Sequence, residues 1–106
     1  MDKINEFLKE NHRSTMVAGK NFLMTTKRIK CNDGFSISIQ ANEYSYCKPR
    51  QNRAWPYDAV ELGFPSVLDD LIKDYAEESG TSKTVFGYVP VDVVIQLNEK
   101  HGGIKD

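Results

Sequence analysis

Apolar residues recur along this chain in two rhythms, one of period three to four and one of period two, and the switches between them predict its elements. Ile4, Phe7 and Leu8 fall at i, i+3 and i+4 behind Asp2, a residue that caps helices. That predicts a short helix fraying at Asn11-His12-Arg13. Residues 16–20 carry no rhythm and include Gly19, so they read as a connector. Two β-prone runs follow, 22–31 and 35–41, joined by Asn32-Asp33-Gly34, whose residues tolerate positive φ. This is a hairpin. In its second strand Phe35, Ile37, Ile39 and Ala41 alternate with Ser36, Ser38 and Gln40, so one face is buried and one is polar. In its first strand Leu23, Ile29 and Cys31 are assigned to the core and Arg28 and Lys30 to the outside.

A third strand is predicted over 59–64, closed by Pro65, which cannot donate to a ladder. Ser66 then has the chemistry of a helix cap, with Asp69 three residues on and Val67, Leu68, Leu71, Ile72 and Tyr75 as an apolar face, so a helix is expected over 66–78. A fourth strand, 84–89, surrounds Gly87, where a neighbour can approach the backbone closely. Pro90 opens the last helix, whose inner face is read as Val91, Val94, Ile95 and Asn98. Lys100 and His101 suit its last turn, and Gly102-Gly103-Ile104 reads as a left-handed cap with a hydrophobic contact. The order is α-β-β-β-α-β-α. It predicts an α+β domain in which a small, mainly antiparallel four-stranded sheet packs with two or three helices.

Length changes the picture only by limiting it. With 106 residues, 40% of them apolar, the chain holds one core, so residues 1–106 read as a single domain with the helix and connector of residues 1–20 at its periphery. The N-terminus lacks the apolar run of a signal peptide, and nothing approaches the roughly 20 apolar residues of a membrane span. A cytoplasmic protein without membrane contact is the expectation. Cys31 and Cys47 lie sixteen positions apart, which fits neither a redox pair nor a zinc knuckle, so both read as small buried hydrophobes. Charge is more uneven than the net −1 suggests. Residues 1–53 carry ten Lys or Arg against five acids, and residues 54–106 carry four against ten, so the halves are +5 and −6. The split makes a dipolar surface unless the fold interleaves the halves.

Candidate chemistry is sparse. The only histidines, His12 and His101, stand at opposite ends of the sequence, far from either cysteine, so no Cys-His dyad or compact zinc pattern is legible. Asp69-Asp70 and Glu77-Glu78 are adjacent pairs whose members point apart on a helix, and they read as a solvated acidic face. Gly102-Gly103 ends a helix rather than opening one, so it is no phosphate loop. No catalytic residue, cofactor or metal site is assigned. The polar side of the hairpin, Arg28, Lys30, Ser36, Ser38 and Gln40, reads as a solvated sheet face.

One stretch stands apart. Residues 44–57 crowd Lys48, Arg50 and Arg53 among Tyr44, Tyr46, Trp55 and Tyr57, with Pro49 and Pro56 stiffening the chain. Rigid rings beside cations give contact energy at low entropic cost, the composition of interface hot spots. Tyr44, Lys48, Arg50, Arg53, Trp55 and Tyr57 are therefore the candidate partner-binding residues, with Tyr46 and Cys47 as anchors to the core. The same residues suit a small hydrophobic cover over a sheet edge, in which the arginines pair with Asp58 or Glu61. Direct contact with single-stranded nucleic acid is the first alternative, with cations on phosphates and rings on bases, although a pI of 6.1 argues against it, and a small enzyme with an unrecognised site is the second. A separate possibility is that the acidic 66–78 helix mimics nucleic-acid charge. Dimerisation through a strand edge stays open.

The segments Cys31-Asn32-Asp33-Gly34-Phe35-Ser36-Ile37-Ser38-Ile39-Gln40-Ala41, Tyr46-Cys47-Lys48-Pro49-Arg50, Val60-Glu61-Leu62-Gly63-Phe64-Pro65-Ser66 and Phe86-Gly87-Tyr88-Val89-Pro90-Val91 carry a resemblance. The chain resembles small uncharacterised proteins encoded by bacteriophages and integrated mobile elements of bacteria, over about residues 31–104. The resemblance implies context and transfers no functional residue: a phage or mobile-element protein acting in the host cytoplasm. Non-enzymatic proteins of that kind commonly act as stoichiometric inhibitors. It thus implies a host protein or nucleoprotein complex as partner, in an anti-defence role such as that of an anti-CRISPR.

Overall fold

A computed structural model describes residues 1–17 and 21–105, with side chains described for 1–12 and 26–105. Gly19 as a helix breaker, the 18–20 part of the connector and the side chain of Leu23 lie outside the described residues. Among the described residues two helices, α1 (Lys3–Asn11) and α2 (Val91–Lys100), accompany six strands: β1 (His12–Val17), β2 (Asn21–Thr26), β3 (Ile29–Lys30), β4 (Ser36–Gln40), β5 (Ala59–Gly63) and β6 (Val85–Pro90). The main sheet is antiparallel with order β3-β4-β5-β6, and β1 and β2 form a separate two-stranded sheet. The α+β class and the four-stranded antiparallel sheet expected from the sequence are present.

The first helix is integral to the core rather than peripheral. Asp2 caps it by accepting the Asn5 amide at 2.7 Å, and Ile4 and Leu8 are almost fully buried. Asn5 ties it across the molecule. Its side chain donates to the Tyr57 carbonyl at 3.0 Å and accepts from the Tyr57 amide at 2.6 Å, satisfying both backbone groups of a buried residue. A helix held this way cannot detach without breaking both bonds to Tyr57.

The predicted 22–31 strand is two strands. It breaks at Lys27-Arg28, where β2 leaves its partner β1 and β3 joins β4 through Ile29↔Ile37. The fraying helix end and part of the expected connector are accordingly β1, paired with β2 from His12↔Thr26 to Val17↔Asn21. The 32–34 turn is as expected. Asp33 accepts the Phe35 amide at 2.9 Å and Gly34 adopts φ +96°. Ile29, Cys31, Phe35, Ile37 and Ile39 are buried on the inner face. The opposite face is less wet than its composition suggests: Ser36, Ser38 and Gln40 are half-buried, and Arg28 bonds Ser36 Oγ at 3.1 Å and the Phe64 carbonyl. Both cysteines are buried free thiols.

No α-helix forms over 66–78. The segment is a series of turns with one 3-10 turn, Lys73–Tyr75, because its capping residues are engaged elsewhere. The Ser66 amide donates to the Ser36 carbonyl at 2.8 Å and Ser66 Oγ accepts the Ser36 amide at 3.0 Å, so Ser66 extends the β4 pairing. Asp69 Oδ1 accepts the Leu71 amide at 2.9 Å and Lys100 Nζ at 3.1 Å. Ile72 reaches the core, whereas Phe64, Val67 and Leu68 stand exposed. Farther on, Ala76 bridges Phe86 and the Glu77 amide donates to the Val85 carbonyl at 2.9 Å, covering part of the outer edge of β6.

α2 follows β6 directly, with Pro90 as its N-cap rather than its first residue. Val91, Val94, Leu97 and Asn98 are buried, and Ile95 is half-buried. Gly102 and Gly103 both adopt φ +86°, the Gly103 amide donates to the Asn98 carbonyl at 2.7 Å, and Ile104 packs against the core while bridging Cys31. At this end His101 closes a clasp. Its Nδ1 lies 2.6 Å from Asp33 Oδ2, its Nε2 lies 2.9 Å from Asp69 Oδ2, and its ring stacks on Phe35 with centroids 4.0 Å apart. Asp69, read from sequence as part of a solvated acidic face, is thereby buried and fully engaged.

Candidate functional surface

Residues 42–58 leave β4 and return to β5 as a loop whose inner groups are spent on its own backbone. Asn42 Oδ1 accepts the Tyr44 amide at 2.8 Å and the Ser45 hydroxyl at 3.0 Å, which turns the chain away from the sheet. Cys47 points inward, its thiol directed at the Asn42 carbonyl at 3.2 Å, and burial pushes its pKa up. A protonated, buried thiol is a packing group, not a nucleophile. Asn52 Oδ1 accepts the Glu43 amide at 3.0 Å, closing the loop on itself. Both Pro49 and Pro56 follow cis peptide bonds.

Tyr57 is the clearest departure from the expected contact residues. It is 2% exposed, its hydroxyl donates to the Gln51 carbonyl, and the same oxygen accepts the Ala54 amide at 3.1 Å. The ring is a core group and the hydroxyl a pin for the 51–54 turn, so Tyr57 offers no ring to a partner. Trp55 is half-buried against the core and lies 4.9 Å from the His12 ring. Tyr44, Lys48, Arg50 and Arg53 are exposed as expected. Arg50 is held by the loop itself, its Nε donating to the Glu43 carbonyl at 3.1 Å, and Glu61 Oε2 accepts the Tyr46 amide at 2.7 Å.

Tyr46, expected as an anchor, presents its ring outward at 39% exposure. Arg50 lies over that ring with its guanidinium carbon 5.5 Å from the centroid, near enough for a cation–π contact. On another side Tyr46 meets Tyr88 of β6, with ring centroids 5.9 Å apart and planes 37° apart. Backbone geometry makes this approach possible. The Tyr88 amide donates to the Tyr46 carbonyl at 2.9 Å, and a Cβ on Gly87 would come within 3.1 Å of the Tyr46 Cβ. Gly87 is thus the close-approach position that its place in a strand suggests.

Tyr88 belongs to the surface although the sequence reading did not include it. Val60 pairs with Val89 but Leu62 pairs with Phe86, so Gly87 and Tyr88 together face Glu61 in a β-bulge. Tyr88 takes φ +53° and is 52% exposed. The signal was present in the spacing: Phe86 and Val89 are both apolar and three apart, which no uninterrupted period of two can bury together. Tyr44, 59% exposed, completes the set; its phenol pKa is raised by the hydrogen bond to Glu43.

The Tyr46 and Tyr88 rings and the Arg50 guanidinium therefore share one surface, and Tyr44 and Lys48 are exposed on the same loop as Tyr46 and Arg50. Such a surface can stack on planar groups and offer donors to carboxylate, phosphate or carbonyl acceptors. No helix among the described residues is long and apolar enough to cross a membrane. No family model, curated protein or solved structure matches the chain.

Proposed function

We propose that this protein is a non-enzymatic binding module that grips a protein partner through Tyr44, Tyr46, Lys48, Arg50 and Tyr88. In keeping with the resemblance to phage and mobile-element proteins, the partner is a host protein or nucleoprotein complex, and binding inhibits it in an anti-defence role. The observation that carries this reading is Tyr88, a bulky residue held at φ +53° with its ring turned to solvent beside Tyr46. A non-glycine residue in that region costs on the order of 1–3 kcal/mol and is retained where the displayed side chain has a use. Arg50 adds direction, because its guanidinium lies over the Tyr46 ring and bonds the loop through Nε, which leaves the terminal nitrogens to meet a planar acceptor.

The hidden half of the loop supports the same division of labour. The side chains of Cys47 and Tyr57 hold the loop, whereas the bonds of Tyr46, Lys48 and Tyr88 are made by their backbones, which leaves their side chains on display. Single-stranded nucleic acid is the second reading, favoured by the cations that flank the exposed rings. Affinity capture from bacterial lysate with and without nuclease separates the two. A specific protein retained after nuclease treatment, and lost with Arg50→Ala or Tyr88→Ala at unchanged melting temperature, is the expected result. Retention by both variants would sink the surface assignment, and loss on nuclease treatment would favour nucleic acid.

A further inference from the structure

His101 joins three parts of the chain that are distant in sequence: the 32–34 turn, the 66–78 segment and the end of α2. Both of its ring nitrogens face carboxylate oxygens, Nδ1 at 2.6 Å from Asp33 and Nε2 at 2.9 Å from Asp69. A carboxylate only accepts, so both nitrogens must donate, and the ring that makes both bonds is the imidazolium. A neutral ring carries one N–H and can keep only one of the two bonds.

Burial decides which bond survives. The Asp69 side chain is 4% exposed, and its Oδ2 has no donor other than His101 among the described residues, because the Leu71 amide and Lys100 Nζ both meet Oδ1. A lone pair turned towards that oxygen would strand a buried charged acceptor. The Asp33 side chain is 47% exposed, so water can replace Nδ1 at its Oδ2 while its Oδ1 keeps the Phe35 amide at 2.9 Å. The remaining proton therefore stays on Nε2, and the Nδ1 lone pair faces Asp33, where attraction becomes repulsion.

The side that is released carries the C-terminal tail. Asn32 Nδ2 donates to the Gly102 carbonyl at 2.7 Å, the Asn32 amide to the Gly103 carbonyl at 3.0 Å and the Asp33 amide to the His101 carbonyl at 3.2 Å. Cys31 bridges Ile104, and the Lys105 amide donates to the Lys30 carbonyl at 2.7 Å. Residues 102–105 thus form a strap along the edge of β3 that β4 does not occupy. The 66–78 segment keeps separate ties, from Asp69 to Lys100 and from Ser66 to Ser36. Among the described residues the ionisable side chains that bond His101 or its carboxylates are Asp33, Asp69 and Lys100. The Cys31 thiol beside the turn is kept neutral by its burial and by the Asp33 charge.

We propose that His101 is a protonation-gated latch on this strap. Doubly protonated, it pins the end of α2 to the 32–34 turn; on losing a proton it holds Asp69, lets go of Asp33 and loosens residues 102–105 from the edge of β3.

The test is NMR of the full chain titrated from below pH 6.5 until the ring is neutral, reading the His101 ring nitrogens together with amide protection factors, which discount the chemical effect of pH on exchange. The neutral ring is expected to carry its proton on Nε2. The Asn32 and Lys105 amides should lose about tenfold in protection at the midpoint of His101, while the Leu71 amide keeps its own. Asp33→Asn suits the turn and can still accept the Phe35 amide, but it turns an NH2 towards Nδ1, so the neutral ring accepts a bond where it was repelled. Strap protection in this variant should hold or rise through the same titration. A neutral ring with its proton on Nδ1, loss of protection at Leu71 together with Lys105, or strap amides that follow one course in both proteins would overturn the proposal.

Discussion

The clasp around His101 and the surface around Tyr46 are both built from charged and aromatic side chains, yet they dispose of them in opposite ways. In the clasp, Asp33, Asp69, Lys100, His101 and Phe35 satisfy one another, and little is left over for solvent or a partner. In the 42–58 loop, the buried groups of Asn42, Cys47 and Tyr57 satisfy the backbone, and the rings of Tyr44, Tyr46 and Tyr88 with Arg50 are left facing outward. Composition alone would not distinguish the two. The difference lies in which groups already have partners, and it locates stability in the first region and recognition in the second.

The largest expected effect breaks the clasp at its buried carboxylate. Asp69→Asn keeps the size of the side chain and an acceptor for the Leu71 amide, but removes the charge that faces His101 and Lys100. Leaving a buried pair half-made is costly, and the expected loss is about 2 kcal/mol of stability, measured by urea unfolding at mildly acidic pH. A loss below about 0.5 kcal/mol would mean that the clasp is no more committed than a surface ion pair.

Titration sharpens the same point. For His101, burial opposes the charged form, but the bonds to Asp33 and Asp69 outweigh it and raise the pKa above its ordinary 6.5. Stability from this group is therefore complete below 6.5 and is lost as pH rises through the raised value. The carboxyls act in the opposite direction. Burial opposes ionisation of Asp69, yet the Leu71 amide, His101 and Lys100 lower its pKa below 3.8, and the Phe35 amide with His101 lowers that of Asp33. Their contribution is present above 3.8 and is lost as pH falls through the lowered values. The melting temperature should accordingly peak between these limits and decline as the pH rises above 6.5 in the natural protein, while His101→Gln should be nearly flat over the same interval. Parallel profiles for the two proteins would remove His101 as the titrating group.

Elements whose local chemistry had one outcome were legible in the sequence. Phe35, Ile37 and Ile39 alternate cleanly and are buried together, and Gly34, Gly102 and Gly103 take the positive φ that their turns require. Where the same residues serve two structures, the reading failed. Ser66 and Asp69 have the spacing of a helix start, but Ser66 pairs with Ser36 and Asp69 with His101, partners thirty or more positions away in sequence that no local pattern contains. Strand β1 was hidden for a related reason, because its pairing with β2 makes a strand of residues that read as a helix end and a connector. In the candidate surface, Arg50 and Lys48 were legible as exposed. Tyr57 and Tyr46 were exchanged, since a tyrosine in a loop has the same composition whether its ring faces the core or the solvent. Asn5 decides the first and the Tyr88 bulge the second, and both are long-range.

The smallest effect tests whether strain at the surface is held for display. Tyr88 sits at φ +53°, where alanine is strained as tyrosine is and glycine is not. Tyr88→Ala and Tyr88→Gly both remove the ring and its contact with Tyr46, so partner binding should fall equally in the two. Stability should separate them. Relief of backbone strain favours glycine, and the greater freedom of glycine in the unfolded chain opposes it, so Tyr88→Gly should exceed Tyr88→Ala by about 0.5–1 kcal/mol in urea unfolding. The reverse order would mean that the bulge is relaxed with a side chain in place, and Tyr88 would then be exposed without cost, as most surface residues are. If glycine is the more stable and both variants lose the partner, the protein keeps a strained tyrosine where a relaxed residue would fold better. That outcome ties the conformation of Tyr88 to binding rather than to folding.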